Sequence, residues 1–364
     1  MTRQQVQVRK DDLSQSRIVA VDPGELLDGA VRLKVESFAV TANNVTYAVV
    51  GDGFGYWNFF PPAGDDADGY GIVPMWGHAQ VIESRHDQIA VGERVYGYLP
   101  MGEGFDAMPG NVTAAGFVDS ADHRQKMSPI YNQYARLSAD PEHDPEREGE
   151  RMIFGPLFRT GFLIDYFMRS ENWFGAKEAI LTSASSKTAM GLASVMKQNS
   201  PETKRVGLTS EANVEFVEET GLYSKVHTYA EIGTLPLHDC VTVDFAGNAD
   251  VLRTLHEHFT DMLKYSCLVG ATHIEARSSL DGEGNLPGPK PTLFFAPDHA
   301  VAFFKQHGAE RAGEEIAKAW GGFLTDIAGN VEIQRRSGIE AAQDVFTRMV
   351  TGSVDPAKGI VIEP

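Results

Sequence analysis

Cysteine is scarce in this sequence: Cys240 and Cys267 are the only two among 364 residues. Two cysteines cannot build a disulfide framework, and they cannot supply a four-cysteine zinc lobe. Both stand in apolar runs of strand character, HDCVTVDF and YSCLVGAT. Free cysteine is among the residues most often buried, so we expect two buried, reduced thiols.

Positive charge is also in deficit. The chain has 32 Lys and Arg against 50 Asp and Glu, a formal net charge of −18. A chain of this charge repels nucleic acid and anionic membrane surfaces, and we exclude both as partners. A phosphate ligand would need positive charge concentrated at one place.

Long apolar runs are missing as well. No stretch approaches the roughly 18 apolar residues of a membrane-spanning helix. The first residues, MTRQQVQVRKDDLSQ, lack the apolar core of a signal peptide. From these patterns we expect a cytoplasmic protein.

Two hydrolase signatures are absent. The sequence has no Gly-x-Ser-x-Gly elbow. His256 and His258 share one predicted helix, but they do not have the four-residue spacing of a zinc-protease pair.

The length and the 42% hydrophobic content predict two packed domains. The first hundred residues contain short β-branched and aromatic segments separated by Gly and Pro, which is typical of strands and turns. Residues 51–71, GDGFGYWNFFPPAGDDADGYG, are rich in Gly and aromatics. They fit either a loop over a pocket, whose Tyr56, Trp57, Phe59 and Phe60 would suit a flat substrate, or ordinary turn chemistry. Residues 139–151 are charged and predict a solvated loop.

From about residue 157 the pattern changes to strands that alternate with helices. Most of these strands are apolar throughout, which predicts a parallel sheet covered on both faces. The segment PTLFFAP predicts a further strand, residues 298–327 predict a helical stretch, and the chain ends in a helix and a short strand.

The segment LTSASSKTAMGLA, residues 181–193, predicts a strand, a tight turn and a helix. In doubly wound sheets this first turn binds phosphate through backbone N–H groups, usually with several glycines. Here Gly191 alone stands near an expected glycine position. Hydroxyls and one cation replace the others, and we predict that they grip a diphosphate: Ser183, Ser185, Ser186, Lys187 and Thr188. The alternative is an ordinary Ser/Thr helix cap with a solvated lysine.

The second strand, KRVGLTS, ends without an acidic residue at its tip. An acid there would bind the ribose diol of NAD and repel a 2′-phosphate. Thr209 and Ser210 stand there instead, with Asn213 beyond them, which favours NADP(H) as the cofactor. Glu211 must point outward if this interpretation is right.

The chain as a whole resembles the medium-chain dehydrogenase/reductase superfamily, in its zinc-free quinone-reductase-like branch. The resemblance rests on the segments VRLKVESFAVTANNVTYA, GIVPMWGHAQVIES, VGERVYGYLP and GIVIEP, and on the position of the nucleotide-binding half. The turn ASSKTA and the motif FFAP are similar to those of a poorly characterised subfamily.

The resemblance implies an α/β fold with a GroES-like, β-rich catalytic domain and a Rossmann-like doubly wound parallel sheet. The GroES-like domain would comprise residues 1–156 and 326–364, and the Rossmann-like domain residues 157–325. A homodimer built through the outer strand near PTLFFAP is also implied.

Zinc-dependent members of the superfamily carry Gly-His-Glu and a catalytic cysteine. Here Ala79 follows His78, and no cysteine precedes Cys240. Catalytic zinc needs about three protein ligands, so we predict no metal and a structural role for His78.

Substrate activation must then come from other side chains. Asn43 matches the family's Asn on the substrate loop, Thr160 matches a threonine that lies near the nicotinamide, and Tyr47 or His273 could donate a proton. Tyr47 could instead be core and His273 a loop cap. Gly270, in the same VGATH stretch as His273, is predicted to contact the cofactor.

These observations predict a zinc-independent, NADPH-dependent reductase that acts on an activated C=C or carbonyl of a small molecule, of the quinone, enone or enoyl type. The alternative is a non-catalytic NADP(H)-binding sensor or interaction protein.

Overall fold

The structure is a computed structural model that describes residues 2–64, 66–269, 286–352 and 354–364. It divides into two compact units, Met1–Ile153 with Glu332–Pro364, and Phe154–Val331. The predicted boundaries at 156/157 and 325/326 differ from these by a few residues. The first division falls inside the long helix α2, Glu148–Ser170, which continues through Gly155 and Pro156.

The strands are numbered in chain order: β1 Arg3–Arg9, β2 Ser16–Val21, β3 Val31–Val40, β4 Tyr70–Gly71, β5 Pro74–Ser84, β6 Arg94–Pro100, β7 Gly104–Ala107, β8 Pro109–Gly110, β9 Gly116–Asp119, β10 Gln133–Arg136, β11 Glu178–Leu181, β12 Lys204–Thr209, β13 Lys225–Thr228, β14 Cys240–Asp244, β15 Leu263–Leu268, β16 Thr292–Leu293, β17 Glu332–Ser337 and β18 Lys358–Glu363. The α-helices are α1 Ala42–Val49, α2 Glu148–Ser170, α3 Lys187–Asn199, α4 Val214–Glu219, α5 Ala249–Phe259, α6 Ala296–His307, α7 Ala309–Asp326 and α8 Ile339–Val350.

The first unit is built mostly on antiparallel strands, with one parallel pair, β17 and β18. Its larger sheet has the order β17-β18-β3-β5-β6-β10-β9-β8, with β7 paired to β3, and a smaller sheet has the order β2-β1-β4. Side chains alternate between the two faces, as in β3, where Val31, Leu33 and Val35 are buried and Lys34 is exposed. The terminal strands β17 and β18 join this sheet, so the end of the chain completes the unit in which it began.

The second unit contains a six-stranded parallel sheet of order β13-β12-β11-β14-β15-β16. Strand β14 is buried along its whole length, as expected for a sheet covered on both faces. The chain reverses its winding direction between β11 and β14, which makes that point the topological switch of the sheet. The predicted doubly wound sheet is confirmed.

Three local predictions are wrong. Residues 148–151 begin α2 rather than belong to a solvated loop, and Arg151 makes a buried ion pair with Asp140 at 2.7 Å. The strand expected over PTLFFAP is limited to Thr292–Leu293, because Phe295 caps α6, which begins at Ala296 with Pro297 in its first turn. The helical stretch after it is two helices, since Gly308 has a φ of +79° that ends α6.

The aromatic loop is part of the core. Tyr56, Trp57, Phe59 and Phe60 are all buried. The Trp57 ring lies so close to two glycines that a Cβ at Gly51 would come within 2.2 Å of it. These side chains therefore pack the first unit rather than cover a flat substrate.

Cys240 and Cys267 are buried and free, which confirms their prediction. Burial raises the pKa of the Cys240 thiol to about 12. In the described residues, no helix combines the length and apolar character needed to cross a membrane.

Candidate functional site

The turn between β11 and α3 lies at the carboxyl edge of the parallel sheet, beside the topological switch. This is the edge where doubly wound sheets bind their ligands. Ser183 has a φ of +49°, in the left-handed region that glycine adopts most easily. The chain thus makes the tight turn of a glycine fingerprint with a serine in the left-handed position.

The predicted cofactor residues of this turn have defined partners. The Ser186 Oγ accepts a hydrogen bond from the Ala189 N–H at 3.3 Å, so it caps α3. The Ser185 Oγ accepts from Asn213 Nδ2 at 3.2 Å, which brings two predicted residues together from different turns. Lys187 and Thr188 follow in the first turn of α3, and both are half-buried.

Two tyrosines that sequence reasoning missed hold the same turn. The Tyr223 hydroxyl donates to the Ala184 carbonyl at 2.7 Å, and the Ser183 N–H donates to the Tyr229 hydroxyl at 2.9 Å. Both tyrosines flank β13. One tyrosine bonds a backbone carbonyl of the turn and the other bonds a backbone N–H. These two hydrogen bonds hold the shape that a glycine-rich turn can adopt without them. No local pattern in the sequence marks them for this task.

A buried threonine and aspartate join the turn to its neighbour across the switch point. The Thr182 Oγ1 donates to Asp244 Oδ1 at 2.5 Å and accepts from the Phe245 N–H at 2.9 Å. Asp244 also accepts from the Gly247 N–H at 3.2 Å, so it shapes the turn after β14. The sequence signal for Asp244 was its place as an acidic residue at the end of the otherwise uncharged segment VTVD.

The tip of the second strand has the predicted character. Thr209 is buried, Ser210 is exposed, and Glu211 is exposed to solvent. The buried end of β12 therefore presents a hydroxyl residue, and the nearby carboxylate side chain is solvated.

Gly191 has a different task from the one expected. A Cβ at this position would lie 3.1 Å from the Phe158 Cα, and one at Gly161 would lie 2.5 Å from the Leu192 N. These glycines allow α2 and α3 to approach each other closely. Gly191 is thus a helix–helix contact, not the glycine that seats a helix on its strand.

The remaining candidates of the second unit are Thr160, Gly270 and His273. The Thr160 Oγ1 donates to the Pro156 carbonyl at 3.3 Å, one turn back in α2. Gly270 and His273 lie outside the described residues.

In the first unit, the expected substrate loop is the helix α1. Asn44 caps it, with Oδ1 accepting from the Thr41 N–H at 2.7 Å, and its Nδ2 donates to the Pro74 carbonyl at 2.9 Å. Asn43 and Tyr47 are four residues apart and share one helix face. The two adjacent asparagines therefore differ in role: Asn44 caps α1, and Asn43 lies on the same helix face as Tyr47.

Tyr47 belongs to a group of four aromatic rings that we call the tyrosine cluster: Tyr47, Tyr56, Tyr98 and Tyr131. The ring centroid of Tyr47 lies 4.6, 5.5 and 6.2 Å from those of Tyr56, Tyr98 and Tyr131. The Tyr56 and Tyr131 hydroxyls are 2.9 Å apart, and the Tyr98 hydroxyl is buried without a hydrogen-bond partner. Burial raises the pKa of all four hydroxyls, so each is a neutral donor at neutral pH.

His78 is completely buried in β5, and neither ring nitrogen has a hydrogen-bond partner. Burial lowers its pKa to about 4. Nearby, Glu148 bonds both Arg94 and His143 at 2.9 Å. Among the residues that the structure describes, no group of three or more His, Cys, Asp or Glu side chains is arranged to hold a metal ion.

The burial of His78 predicts a loss of stability in acid. Its folded pKa of about 4 lies below the ordinary value of about 6.5, so the unfolded chain takes up a proton first as the pH falls. The free energy of unfolding should decrease between these values by up to roughly 3 kcal/mol. Urea unfolding from pH 7 to pH 4 measures this, and His78→Leu should flatten the curve.

His123→Leu is the control, because it removes an exposed histidine and should leave the steepness of the curve unchanged. A curve equally steep in His78→Leu and in the parent protein would assign the acid sensitivity to other groups.

Comparison with solved structures shows the fold. CurA from Vibrio vulnificus in complex with NADPH aligns with a TM-score of 0.58 at 13% identity, covering 99% of this chain and 98% of that one. The yhdH oxidoreductase from Salmonella enterica in complex with NADP gives 0.53 at 13%, covering 99% of each chain. The quinone oxidoreductase from Coxiella burnetii gives 0.55 at 13%, covering 100% of each. The predicted α/β fold, a GroES-like β-rich domain with a Rossmann-like doubly wound parallel sheet, is confirmed.

No curated protein sequence matches the chain. The family described as "Protein of unknown function (DUF2855)" matches residues 38–355, which is most of its length. The chain therefore belongs to that family.

Proposed function

We propose that this protein is an NADP(H)-dependent reductase that transfers hydride to an activated C=C or carbonyl of a small molecule, of the quinone, enone or enoyl type. The observation that carries the proposal is the hydroxyl-rich turn at the topological switch, with Ser183 in the left-handed position. Two of the similar structures hold NADPH or NADP, and two are named as oxidoreductases, which supports the same class.

The turn fits a dinucleotide diphosphate. The first N–H groups of α3 face the carboxyl edge of the sheet, where a helix N-terminus favours an anion. Ser183, Ser185 and Thr188 add hydroxyl donors, and Lys187 adds a positive charge. The Ser186 hydroxyl caps the helix and helps to hold those N–H groups in place.

The tip of β12 supports NADP(H) rather than NAD(H). A buried acid at this position would bind the ribose diol and repel a 2′-phosphate. No acid stands there: Thr209 is buried, Ser210 presents an exposed hydroxyl, and Asn213 is held at Ser185. Ser210 and Asn213 can donate to the 2′-phosphate.

Reduced nicotinamide, when bound, supplies the hydride. The protein must then orient the acceptor and neutralise the charge that develops on it. Tyr47 is the proposed proton donor, with Asn43 beside it on the same face of α1. Zinc is not needed in this proposal, because a conjugated acceptor requires less Lewis-acid assistance than a simple ketone.

A second candidate is an NADP(H)-binding sensor without turnover. It is favoured by the hydrogen bond from the Ser183 N–H to Tyr229, which occupies a backbone donor of the turn, and by Tyr47, which is only 5% exposed.

Two measurements on the full chain separate these candidates. Fluorescence titration with NADPH and NADH should give tighter binding of NADPH. A screen of NADPH oxidation against enones, quinones and aldehydes should give turnover with at least one conjugated acceptor. Binding without turnover across the screen would favour the sensor, and equal affinity for the two dinucleotides would contradict the reading of the β12 tip.

A further inference from the structure

The position of Tyr47 is set by a side chain from a neighbouring strand. The Trp76 Nε1 lies 3.1 Å from the Tyr47 hydroxyl oxygen. An indole N–H can only donate a hydrogen bond. The Tyr47 oxygen therefore accepts, and its own hydrogen is left to be donated elsewhere. This assigns a direction to the Tyr47 hydroxyl.

Trp76 is itself firmly held. It lies in β5 directly opposite Tyr98 of β6, with ring centroids 5.1 Å apart. It also stacks on Tyr96 of the same strand, β6, at 5.7 Å, with an interplanar angle of 22°. Because the indole packs against two rings of a paired strand, it can fix the hydroxyl that it bonds.

We propose that Trp76 is a positioning residue: its indole N–H holds the Tyr47 oxygen, directs the Tyr47 hydrogen toward the substrate and stabilises the oxyanion left after that hydrogen is given up. The inference rests on the proposed function.

The electrostatics of the tyrosine cluster agree with this assignment. Burial raises the pKa of Tyr47, while the Trp76 N–H is the strongest of the neighbouring groups that lower it. For Tyr98 and Tyr131, burial raises the pKa and interactions with Tyr47 raise it further. The Trp76 N–H thus favours the charged form of the Tyr47 hydroxyl, as the proposal requires.

The proton balance is simple. Hydride addition leaves negative charge on the conjugated acceptor as an enolate. The Tyr47 O–H bond breaks, its proton goes to the enolate, and the negative charge passes to the Tyr47 oxygen. The Trp76 N–H stabilises that charge until a solvent proton restores the hydroxyl.

The test is a double-mutant cycle on the full chain, with Trp76→Phe, Tyr47→Phe and the double variant. Trp76→Phe keeps an aromatic ring and removes the N–H. A hydrogen bond to a charged group is worth roughly 1.5–3 kcal/mol, so we expect a fall in kcat of about 10- to 100-fold, with the Kd of NADPH and the KM of the acceptor nearly unchanged. In the Tyr47→Phe background the same substitution should have no further effect on kcat.

Trp173→Phe is the matched control. The Trp173 Nε1 also donates to a hydroxyl, Ser200 Oγ at 3.2 Å, but in the second unit. Trp173→Phe should lower the melting temperature about as much as Trp76→Phe does, but it should not change kcat. If Trp76→Phe lowers kcat by the same factor in the parent protein and in the Tyr47→Phe variant, the role of Trp76 is merely structural. That result would overturn this inference but not the proposed function. An absence of turnover in the parent protein would overturn the proposed function and this inference with it.

Discussion

Tyr47→Phe should lower kcat for a conjugated acceptor about 10²- to 10⁴-fold, the usual contribution of a positioned general acid. The ring keeps its packing against Tyr56 and Tyr98, and only the hydroxyl is lost. Because the Tyr47 hydroxyl belongs to the first unit and the cofactor turn to the second, the Kd of NADPH should not change. Steady-state kinetics and a fluorescence titration measure the two effects separately.

Tyr166→Phe provides the control for this substitution. The Tyr166 hydroxyl pairs with His307 Nε2 at 2.8 Å in the second unit, so the variant also loses a tyrosine hydrogen bond. It should retain the parent kcat. If kcat of Tyr47→Phe stays within twofold of the parent value, Tyr47 is not the proton donor and the tyrosine cluster only packs the core.

Lys187→Ala should weaken NADPH binding about 10- to 100-fold. The reason is the loss of a charge-assisted contact to a phosphate, worth roughly 1.5–3 kcal/mol. Lys187 is the first residue of α3, is half-buried and stands in the turn that the proposal assigns to the diphosphate. The melting temperature of the protein without dinucleotide is measured in parallel, so that a loss of folding stability is separated from a loss of affinity.

Lys197→Ala is the matched variant on the same helix. It removes a lysine that is 46% exposed and pairs with Asp326 at 2.8 Å, far along α3 from the turn. NADPH affinity should be that of the parent protein. Equal affinities of Lys187→Ala and Lys197→Ala would place the phosphate elsewhere.

The fold could be predicted because the sequence contains two clear hydrophobic patterns, one in each unit. Apolar strands that alternate with helices after residue 157 indicated a parallel sheet, and alternating segments such as VRLKV indicated half-buried strands. Boundaries were predicted less well where one helix runs past a domain division, as α2 does, or where one glycine, Gly308, splits a continuous helical pattern.

The site was only half visible in the sequence. The hydroxyls near Lys187 and the acid-free tip of β12 are local patterns, and they could be read directly. Tyr223, Tyr229 and Asp244 reach the turn from distant parts of the chain, so no spacing rule identifies them. The aromatic loop was left undecided for a related reason: composition shows that Trp57 and Phe59 are apolar, but not whether they face a ligand or pack in the core.

The way in which the turn is fastened also bears on how the protein folds. A glycine-rich turn can adopt its shape as soon as its own few residues are free to move. Here Ser183 and Ala184 bond to tyrosines that lie 46 and 39 positions later in the chain. Contacts of such separation form late, after the intervening chain has been ordered. The turn between β11 and α3 should therefore reach its final geometry only once β13 has docked. Hydrogen exchange during refolding would show the Ser183 amide protected together with that strand.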